Sequence, residues 1–389
     1  MSVVNLMLKP GFAKPLWAGN PFVYPRALVM PSREPELGEC VTVMDADKTP
    51  IGFGAYNPNS LYRVRILGWA SENLNSLDAI IRHRLTQAKT LRAAFINPEH
   101  TTAYRLLNSE GDGLSGVTID LYGNVGMIAV SGAWAVVHLD TLKAACQAIF
   151  PDVTFIIRFQ SKPLSQEGVT ALPKLDNPAP TVEVIENGVK YAIDFATAQK
   201  TGFYCDQRDT RMVVRACAKG RRVLDTFCYT GGFSLNAAMG GATEVLGIDS
   251  SEHAIALAQK NAVLNGLTNV TFEENDAMKA IQEHKGYDFI ILDPPKLAPS
   301  RQHVEKAKSH YLKLNREAMA SLPADGFLLT CSCSSAMDMT LFKRLLLEAA
   351  MGAKRQVQIV TTGGGGPDHP INPAYLESEY LKWILLRVL

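Results

Sequence analysis

Residues 222–233 read Arg-Val-Leu-Asp-Thr-Phe-Cys-Tyr-Thr-Gly-Gly-Phe, an apolar run that ends in an aspartate and a turn containing glycines. This order predicts a buried strand over 222–227, a loop, and a helix over about 231–240. The alternation continues, with strands predicted at 244–248, 270–273, 287–292, 326–331, 356–361 and 381–388, and helices at about 252–264, 277–284, 302–321 and 338–351. Regular alternation of strand and helix is typical of a parallel, doubly wound α/β sheet.

The chain before residue 186 follows a different pattern. Short β-like runs separated by turns fill residues 40–67, which predicts a small β-barrel. The next stretch mixes strand-like runs with helical stretches at 76–91 and 136–150, which predicts a small α+β unit. We therefore predict three domains, over residues 1–70, 71–185 and 186–389.

Composition excludes several classes of protein. Of the 389 residues, 47% are hydrophobic and 20% charged, so the chain is neither disordered nor fibrous. The net charge of +1 gives no global field, and any surface for nucleic acid must be local. Seven cysteines without a Cys-x-x-Cys pair indicate free thiols in a reducing compartment and argue against zinc. We found no secretion signal or long apolar run, so we expect a cytoplasmic protein without membrane contact.

Polar residues follow five consecutive strands of the predicted sheet. Ligands of open α/β sheets bind at the carboxyl ends of the strands, which makes these residues informative. Any single aspartate could instead be a helix N-cap, but the whole series indicates one ligand-binding edge. In chain order the series is Asp225 with its loop, Asp249, Asp276, Asp293-Pro-Pro-Lys296 and Cys331-Ser-Cys-Ser334.

The loop after the first strand of this sheet discriminates between cofactors. Phe227 and Tyr229 stand where a dinucleotide-binding loop needs glycine, so a ligand without pyrophosphate is favoured over NAD or FAD. S-adenosylmethionine fits this pattern. Its ribose would meet Asp249, its adenine amine would meet Asp276, and its amino-acid end would meet the loop from Asp225 to Gly231.

Asp293-Pro-Pro-Lys296 stands where a methyl acceptor is expected. Two prolines fix the backbone just beyond the strand, so the Asp293 carboxylate and the carbonyls at the strand end have set directions. Enzymes that methylate amines usually carry an aromatic residue in the fourth place, and Lys296 therefore weakens an amine target. The alternative is a plain turn that ends a strand.

The two thiols after the fifth strand favour a covalent reaction. Cytosine C5 is a poor nucleophile, and its methylation requires a thiolate to add at C6 while an acid holds N3. Cys331 lies inside the predicted strand and suits a small buried residue. Cys333 lies past the strand, between serines, and suits the nucleophile.

Arg63 and Arg65 alternate with apolar residues, which predicts that both guanidinium groups share one solvent face of a strand. They could contact phosphate there, and an ordinary solvated face is the alternative.

Taken together, these motifs resemble those of the bacterial 23S ribosomal RNA large subunit methyltransferase I family, which are class I S-adenosylmethionine-dependent cytosine-C5 methyltransferases. The segments that carry the resemblance are 52–60 with Arg63 and Arg65, 110–116, 199–208, 225–233, 293–296 and 332–334.

The resemblance implies an N-terminal PUA domain for RNA, a central α+β domain and a C-terminal Rossmann-like methyltransferase domain. It implies that Cys333 is the nucleophile and that Asp293 faces the cytosine N3. More distant RNA cytosine methyltransferases use a Thr-Cys-Ser motif, which Thr330-Cys331-Ser332 also matches, so both thiols stay candidates. Lys200 would approach the cofactor's amino-acid end.

The implied substrate is 23S rRNA or a precursor of the large ribosomal subunit, with Arg63, Arg65, Lys296 and Arg208 as candidate RNA contacts. The family often has Phe where Leu297 stands, and distant relatives have a second cysteine beside Asp-Pro that this chain lacks. The residue that removes the C5 proton is thus open, as is the oligomeric state, with a homodimer as one alternative. Two other functions remain: nitrogen methylation of an RNA base, and a non-catalytic RNA-binding assembly protein.

Overall fold

The computed structural model describes residues 4–389 with the exception of 75, 176, 178, 179, 197–201 and 298–303. The side chain of residue 304 is also excepted. Within that part, the strands are β1 Val4–Met7, β2 Phe22–Val23, β3 Cys40–Met44, β4 Pro50–Tyr56, β5 Val64–Trp69, β6 Ala103–Asn108, β7 Val117–Tyr122, β8 Val125–Val130, β9 Thr154–Phe159, β10 Thr181–Glu186, β11 Val189–Asp194, β12 Arg222–Asp225, β13 Glu244–Asp249, β14 Val270–Glu274, β15 Phe289–Leu292, β16 Gly326–Ser332, β17 Val357–Gly363 and β18 Lys382–Val388.

The helices of the described residues are α1 Lys14–Trp17, α2 Leu77–Ala93, α3 Ala133–Val137, α4 Leu139–Ile149, α5 Ser161–Gln166, α6 Arg208–Cys217, α7 Gly232–Met239, α8 Glu252–Leu264, α9 Ala277–Glu283, α10 Val304–Ser321 and α11 Met339–Gly352. None of them combines the length and the hydropathy that crossing a bilayer requires. The elements form two compact units, one of Met1–Val184, Ile193–Cys205 and Pro367–Ser378, the other of Ile185–Ala192, Asp206–Gly366 and Glu379–Leu389.

The first unit contains two sheets. A five-stranded sheet has the order β1-β3-β4-β5-β2, with β1 parallel to β3 and the other neighbours antiparallel. Its strands follow the two-residue period of a half-buried sheet, as in β3, where Val41 and Val43 are buried and their neighbours are not. A four-stranded sheet has the order β6-β7-β8-β9 and shares a core with α2 and α4.

The second unit is built on a seven-stranded sheet of order β14-β13-β12-β15-β16-β18-β17. The first five strands are parallel, as the alternating sequence pattern predicted. The order reverses between β12 and β15, because the chain runs outward from β12 to β14 and then returns to the other side of β12. This reversal is the switch point at which ligands of doubly wound sheets bind.

The last two strands depart from the parallel pattern. β18 lies between β16 and β17 and is antiparallel to both. The connection from β17 to β18 contains no α-helix, and a parallel return normally requires such a crossover. The antiparallel insertion brings the start of β18 beside the end of β16, opposite Ser332.

Candidate active site

The carboxyl ends of β12, β15 and β16 bring three of the predicted polar positions to neighbouring strands. Asp225 is paired with Ile291, two residues before Asp293, and Leu292 is paired with Thr330, directly before Cys331. Three neighbouring strand ends therefore carry, in order, Asp225, the Asp293-Pro-Pro turn and the two thiols of Cys331 and Cys333. The structure brings these residues together at the switch point.

The loop after β12 is a tight turn held by hydrogen bonds to backbone carbonyls. The Thr226 hydroxyl donates to the Ile291 carbonyl over 2.9 Å, and Tyr229 takes the left-handed conformation at φ 47°. Gly231 has φ 88° directly before α7, a conformation that favours glycine. Phe227 packs against the core of the sheet. The turn therefore ends at Gly231, and α7 begins at the next residue.

Asp225 is fully buried and only partly hydrogen-bonded. Its Oδ2 accepts a hydrogen bond from the Ser234 hydroxyl over 2.7 Å, whereas Oδ1 has no hydrogen-bond partner within the described residues. Burial raises the pKa of Asp225 to about 7 and outweighs the hydrogen bond from Ser234. A buried carboxylate acceptor of this kind suits an ammonium donor, and the amino-acid end of S-adenosylmethionine carries one. The residues present therefore fit the predicted cofactor.

Asp249 and Asp276 occupy the next two strand ends but differ in their surroundings. Asp249 accepts backbone hydrogen bonds from Tyr229 over 2.9 Å and from Ser251 over 3.0 Å, which ties the loop to β13. Its carboxylate retains lone pairs for ribose hydroxyls. Asp276 is exposed and caps α9 by accepting from the Lys279 amide over 3.0 Å. Its predicted contact with adenine stays a prediction.

Asp293 lies in an acceptor-rich cluster that contains two residues the sequence analysis did not select. The Gln207 side chain hydrogen-bonds Asp293, and the carboxyl of Asp206 lies near enough to act on it electrostatically. Burial, followed by the charges of Asp206 and Asp225, raises the pKa of Asp293 to about 7. Its neutral acid form is therefore well populated near neutral pH.

Several buried acceptors in α6, in the segment directly before it, and in strands β12 and β16 make no hydrogen bond within the described residues. Asp206 illustrates this, because Oδ2 accepts from the Tyr380 hydroxyl over 2.7 Å while Oδ1 is unpaired. Unpaired buried acceptors are costly, and such costs concentrate at binding sites. The sequence signal was present in the segment 199–208, where Asp206 and Gln207 stand directly before α6. The acceptors without a partner are Asp206 Oδ1, Gln207 Oε1, Thr210 Oγ1, Asp225 Oδ1 and Thr330 Oγ1.

The two thiols at the end of β16 have different environments. Cys331 is completely buried, and burial raises the pKa of its thiol far above the ordinary value. Cys333 is half-buried and lies one residue past the strand. The Tyr311 hydroxyl donates to the Ser332 hydroxyl over 3.1 Å and holds the strand end between them. Of the two, Cys333 is the more exposed thiol.

The sequence analysis selected three further basic residues for the site, Lys200, Lys296 and Arg208. Lys200 lies outside the described residues. Lys296 is exposed after the two prolines, where a polyanion could reach it. Arg208 is buried at the start of α6, with 4% of its side chain exposed and its Nε 3.4 Å from Asp209. Its predicted contact with a phosphate stays a prediction.

Arg63 and Arg65 do not form the predicted pair on a solvent face. Arg65 is largely covered, with 11% of its side chain exposed. It hydrogen-bonds Glu167 through two guanidinium nitrogens and donates to the Ser115 hydroxyl over 2.5 Å. Arg63 donates to the carbonyls of the turn that precedes it. The expectation of an exposed Arg65 was wrong, because a buried carboxylate of the same unit captures its guanidinium. Contact of either arginine with RNA stays a prediction.

We expect Arg65→Met to lower the thermal midpoint of unfolding, because it leaves Glu167 buried without its partner. Removing one member of a buried ion pair costs about 3–5 kcal/mol. The salt dependence of RNA binding should not change. A variant with a normal midpoint and a salt slope reduced by about one would instead assign Arg65 to a phosphate.

We expect Asp225→Asn to stabilise the protein and weaken cofactor binding. Because the folded pKa of about 7 exceeds the ordinary 3.8, the ionisation penalty is absent below about pH 4, grows up to about pH 7 and is complete above it. Asparagine removes that penalty, so the thermal midpoint should rise by several degrees at pH 8 and change little at pH 4.

The same Asp225→Asn variant should bind S-adenosylmethionine more weakly, which calorimetry measures. An unchanged affinity would contradict the assignment of Asp225 to the cofactor.

Comparison with known proteins agrees with this geometry. The family model for S-adenosylmethionine-dependent methyltransferases matches residues 162–374, and the model for a PUA-like domain matches residues 6–69. The fold is shared with two solved structures, a methyltransferase complexed with SAH and a SAM-dependent methyltransferase from Streptococcus mutans. Their TM-scores are 0.82 and 0.81; each is 23% identical and covers 99% of this chain and 100% of its own.

Two curated relatives match over nearly their full length. Ribosomal RNA large subunit methyltransferase I of Erwinia tasmaniensis is 34% identical over 395 residues, covering 99% of this chain and 100% of the relative. The protein of the same name from Photobacterium profundum is 36% identical over 388 residues, covering 97% and 98%. The chain therefore belongs to the ribosomal RNA large subunit methyltransferase I family, and it is an S-adenosylmethionine-dependent methyltransferase with an N-terminal PUA-like domain.

Proposed function

We propose that this enzyme methylates C5 of a cytosine in 23S rRNA and forms 5-methylcytidine through a covalent adduct with Cys333. The observation that carries the proposal is the pairing of two groups on adjacent strands. The half-buried thiol of Cys333 and the carboxyl of Asp293, whose pKa burial raises to about 7, follow adjacent strands at the same edge, while Cys331 is completely buried. A thiolate and an acid are the two groups that cytosine C5 chemistry requires.

The reaction divides between these two residues. The Cys333 thiolate forms a bond to C6, and Asp293 donates its proton to N3, which makes C5 nucleophilic. Bound S-adenosylmethionine supplies an electrophilic methyl group. C5 would accept that methyl group as the methyl–sulfur bond of the cofactor breaks, leaving S-adenosylhomocysteine. The C5 proton then passes to water as the C6–S bond breaks and releases Cys333 as thiolate. N3 returns its proton to the Asp293 carboxylate, which restores the aromatic ring and the acid.

Asp293 suits the acid role because its pKa is raised rather than lowered. An ordinary carboxyl with a pKa near 3.9 is almost fully ionised at pH 7 and cannot donate a proton. With a pKa of about 7, roughly half of Asp293 is neutral at that pH. The Gln207 side chain favours the charged form of the same carboxyl, and burial together with the charges of Asp206 and Asp225 outweighs it.

We assign the cofactor to Asp225, Phe227, Tyr229 and Gly231 of the first loop, with Asp249, Asp276 and Asp293 at the following strand ends. The PUA-like domain, within residues 1–70, would hold the RNA, followed by the α+β domain over 71–185 and the methyltransferase domain over 186–389. Lys296, which is exposed on the turn after Asp293, would contact RNA at the site. We place the reaction in the cytoplasm, where the rRNA substrate and reduced thiols are available.

Mapping the modified base in 23S rRNA tests the proposed function. RNA from cells that lack the gene should be missing one 5-methylcytidine in mass and bisulfite analysis, and purified enzyme with S-adenosylmethionine should restore it. A missing methyl group on a ring or exocyclic nitrogen would contradict the proposal. So would RNA without any change, which would favour the non-catalytic assembly protein.

A further inference from the structure

Lys382 is a buried charged residue that the reaction described above does not use. It is 2% exposed, and it is the only lysine among the described residues that is buried to this degree. Burying a lysine is costly unless its ammonium is paired. Its position at the start of β18, beside the end of β16, therefore calls for a reason beyond packing.

The backbone of β16 and β18 directs Lys382 to the nucleophile. Lys382 lies opposite Ser332 in the antiparallel register, and its Nζ donates to the Ser334 carbonyl over 2.7 Å. Cys333 is the residue between these two. A second bond from Nζ, to the Tyr380 carbonyl, measures 2.8 Å. Two fixed carbonyl acceptors thus hold the amine at the turn that carries the thiol.

The charged groups that face Lys382 come from four segments. Apart from burial, the largest influence on its amine is Cys333, followed by Glu379, Asp338 and the like charge of Lys296. Burial lowers the pKa of Lys382 to about 8, and the three acidic neighbours oppose this shift. An amine that titrates near 8 and a thiol, which ordinarily titrates near 8.5, can exchange a proton at small cost.

We propose that Lys382 is the positioning residue that takes the proton of the Cys333 thiol and holds the resulting thiolate as an ion pair. The S–H bond of Cys333 breaks as a third N–H bond forms on Nζ. The amine becomes an ammonium and the thiol becomes a thiolate, so no other reactant is needed. Two donors of the ammonium engage the carbonyls of Ser334 and Tyr380, and the third is available to the sulfur.

This assignment rests on the proposed function, in which Cys333 attacks C6. It answers a requirement of that function, because a thiol must be ionised before it can act as a nucleophile. Asp293 cannot serve as the base, since its role at N3 requires the protonated form. A purely structural lysine would tie β18 to the turn through the same two carbonyls but would leave the thiolate fraction of Cys333 unchanged.

The pH dependence of thiol alkylation tests the ion pair without RNA or cofactor. Wild-type protein is treated with iodoacetamide between pH 5.5 and 10, and the rate at each cysteine is read from peptide masses. Cys40 and Cys217 are internal controls, because both are half-buried and burial raises the pKa of both thiols. Cys333 should reach half its maximal rate at least about one pH unit below them, which is a tenfold difference in thiolate at neutral pH.

Two variants complete the experiment. Lys382→Met should raise the midpoint of Cys333 alkylation by about one pH unit or more and leave Cys40 and Cys217 unchanged. Lys382→Arg keeps the positive charge and should keep the low midpoint. A wild-type Cys333 that titrates with Cys40 and Cys217 would overturn the proposal even if the variants fail to fold. A folded Lys382→Met variant whose midpoint of Cys333 alkylation equals that of the wild type would also overturn the proposal.

The activity of Lys382→Met gives an independent readout. Its kcat should fall at least about tenfold at pH 7, recover partly at higher pH, and leave the KM for RNA unchanged, because only the thiolate fraction is lost. The alkylation experiment contains neither RNA nor cofactor, so its result tests the ion pair and does not depend on the methylated base. An N-methylated base in the RNA mapping would instead overturn the proposed function, and the alkylation midpoint of Cys333 would still report on the ion pair.

Discussion

Replacing Cys333 by alanine should abolish methyl transfer to ribosomal RNA, with a fall in kcat of at least about 1,000-fold, while S-adenosylmethionine binds with nearly unchanged affinity. The reason is that C5 of cytosine cannot attack the methyl group until a thiolate has added to C6. The half-buried position of Cys333 at the end of β16 makes its sulfur the one available for this addition. Tritium transfer from labelled cofactor measures activity, and calorimetry measures binding.

Cys331→Ala is the matched control. Cys331 is completely buried inside β16, two residues before Cys333, so its loss should lower stability slightly and leave activity within a few-fold of wild type. If Cys333→Ala were fully active and Cys331→Ala inactive, the Thr-Cys-Ser alternative would be correct. Full activity in both variants would exclude a covalent mechanism.

Replacing Asp293 by asparagine should lower kcat by about 100- to 10,000-fold, the usual range for loss of a general acid. Asparagine preserves the shape and can still donate a hydrogen bond, but it cannot transfer a proton to N3. Because burial raises the folded pKa of Asp293 to about 7, the neutral acid predominates below that pH and is lost above it. The single-turnover rate of the wild type should therefore carry a descending limb near pH 7 that the variant lacks.

Asp288→Asn is the control for this variant. Asp288 directly precedes β15, at the opposite end of the strand that Asp293 follows, and burial raises its pKa as well. Its replacement should retain both activity and the descending limb. An Asp293→Asn enzyme with the same limb near pH 7 as wild type would show that another group donates the proton.

The sheet, and the position of polar residues at the carboxyl ends of its strands, could be predicted because both follow from local sequence patterns. Apolar runs of four to seven residues became the strands, and the aspartates and thiols that follow them mark the carboxyl edge. The antiparallel β18 was missed because strand direction depends on the length and nature of the connection rather than on the strand itself. Lys382 was missed for the same reason, since it reaches Ser334 only through that insertion.

Residues that act through tertiary contacts were harder to predict than residues that end a strand. Gln207 meets Asp293 across 86 positions of sequence, and no local pattern distinguishes it from an ordinary polar residue before a helix. Arg65 shows the converse. Its alternation with apolar residues correctly indicated a strand, but the carboxylate that buries its guanidinium lies at Glu167, far along the chain.

Trapping the covalent adduct tests the central claim most directly. A 23S rRNA fragment containing 5-fluorocytidine at the target should accept the thiolate and the methyl group but cannot lose a C5 proton, so the enzyme should stay bound to the RNA. Peptide mass analysis of that complex should find the methylated nucleotide on Cys333. An adduct on Cys331, or complete methylation without any covalent complex, would contradict the account.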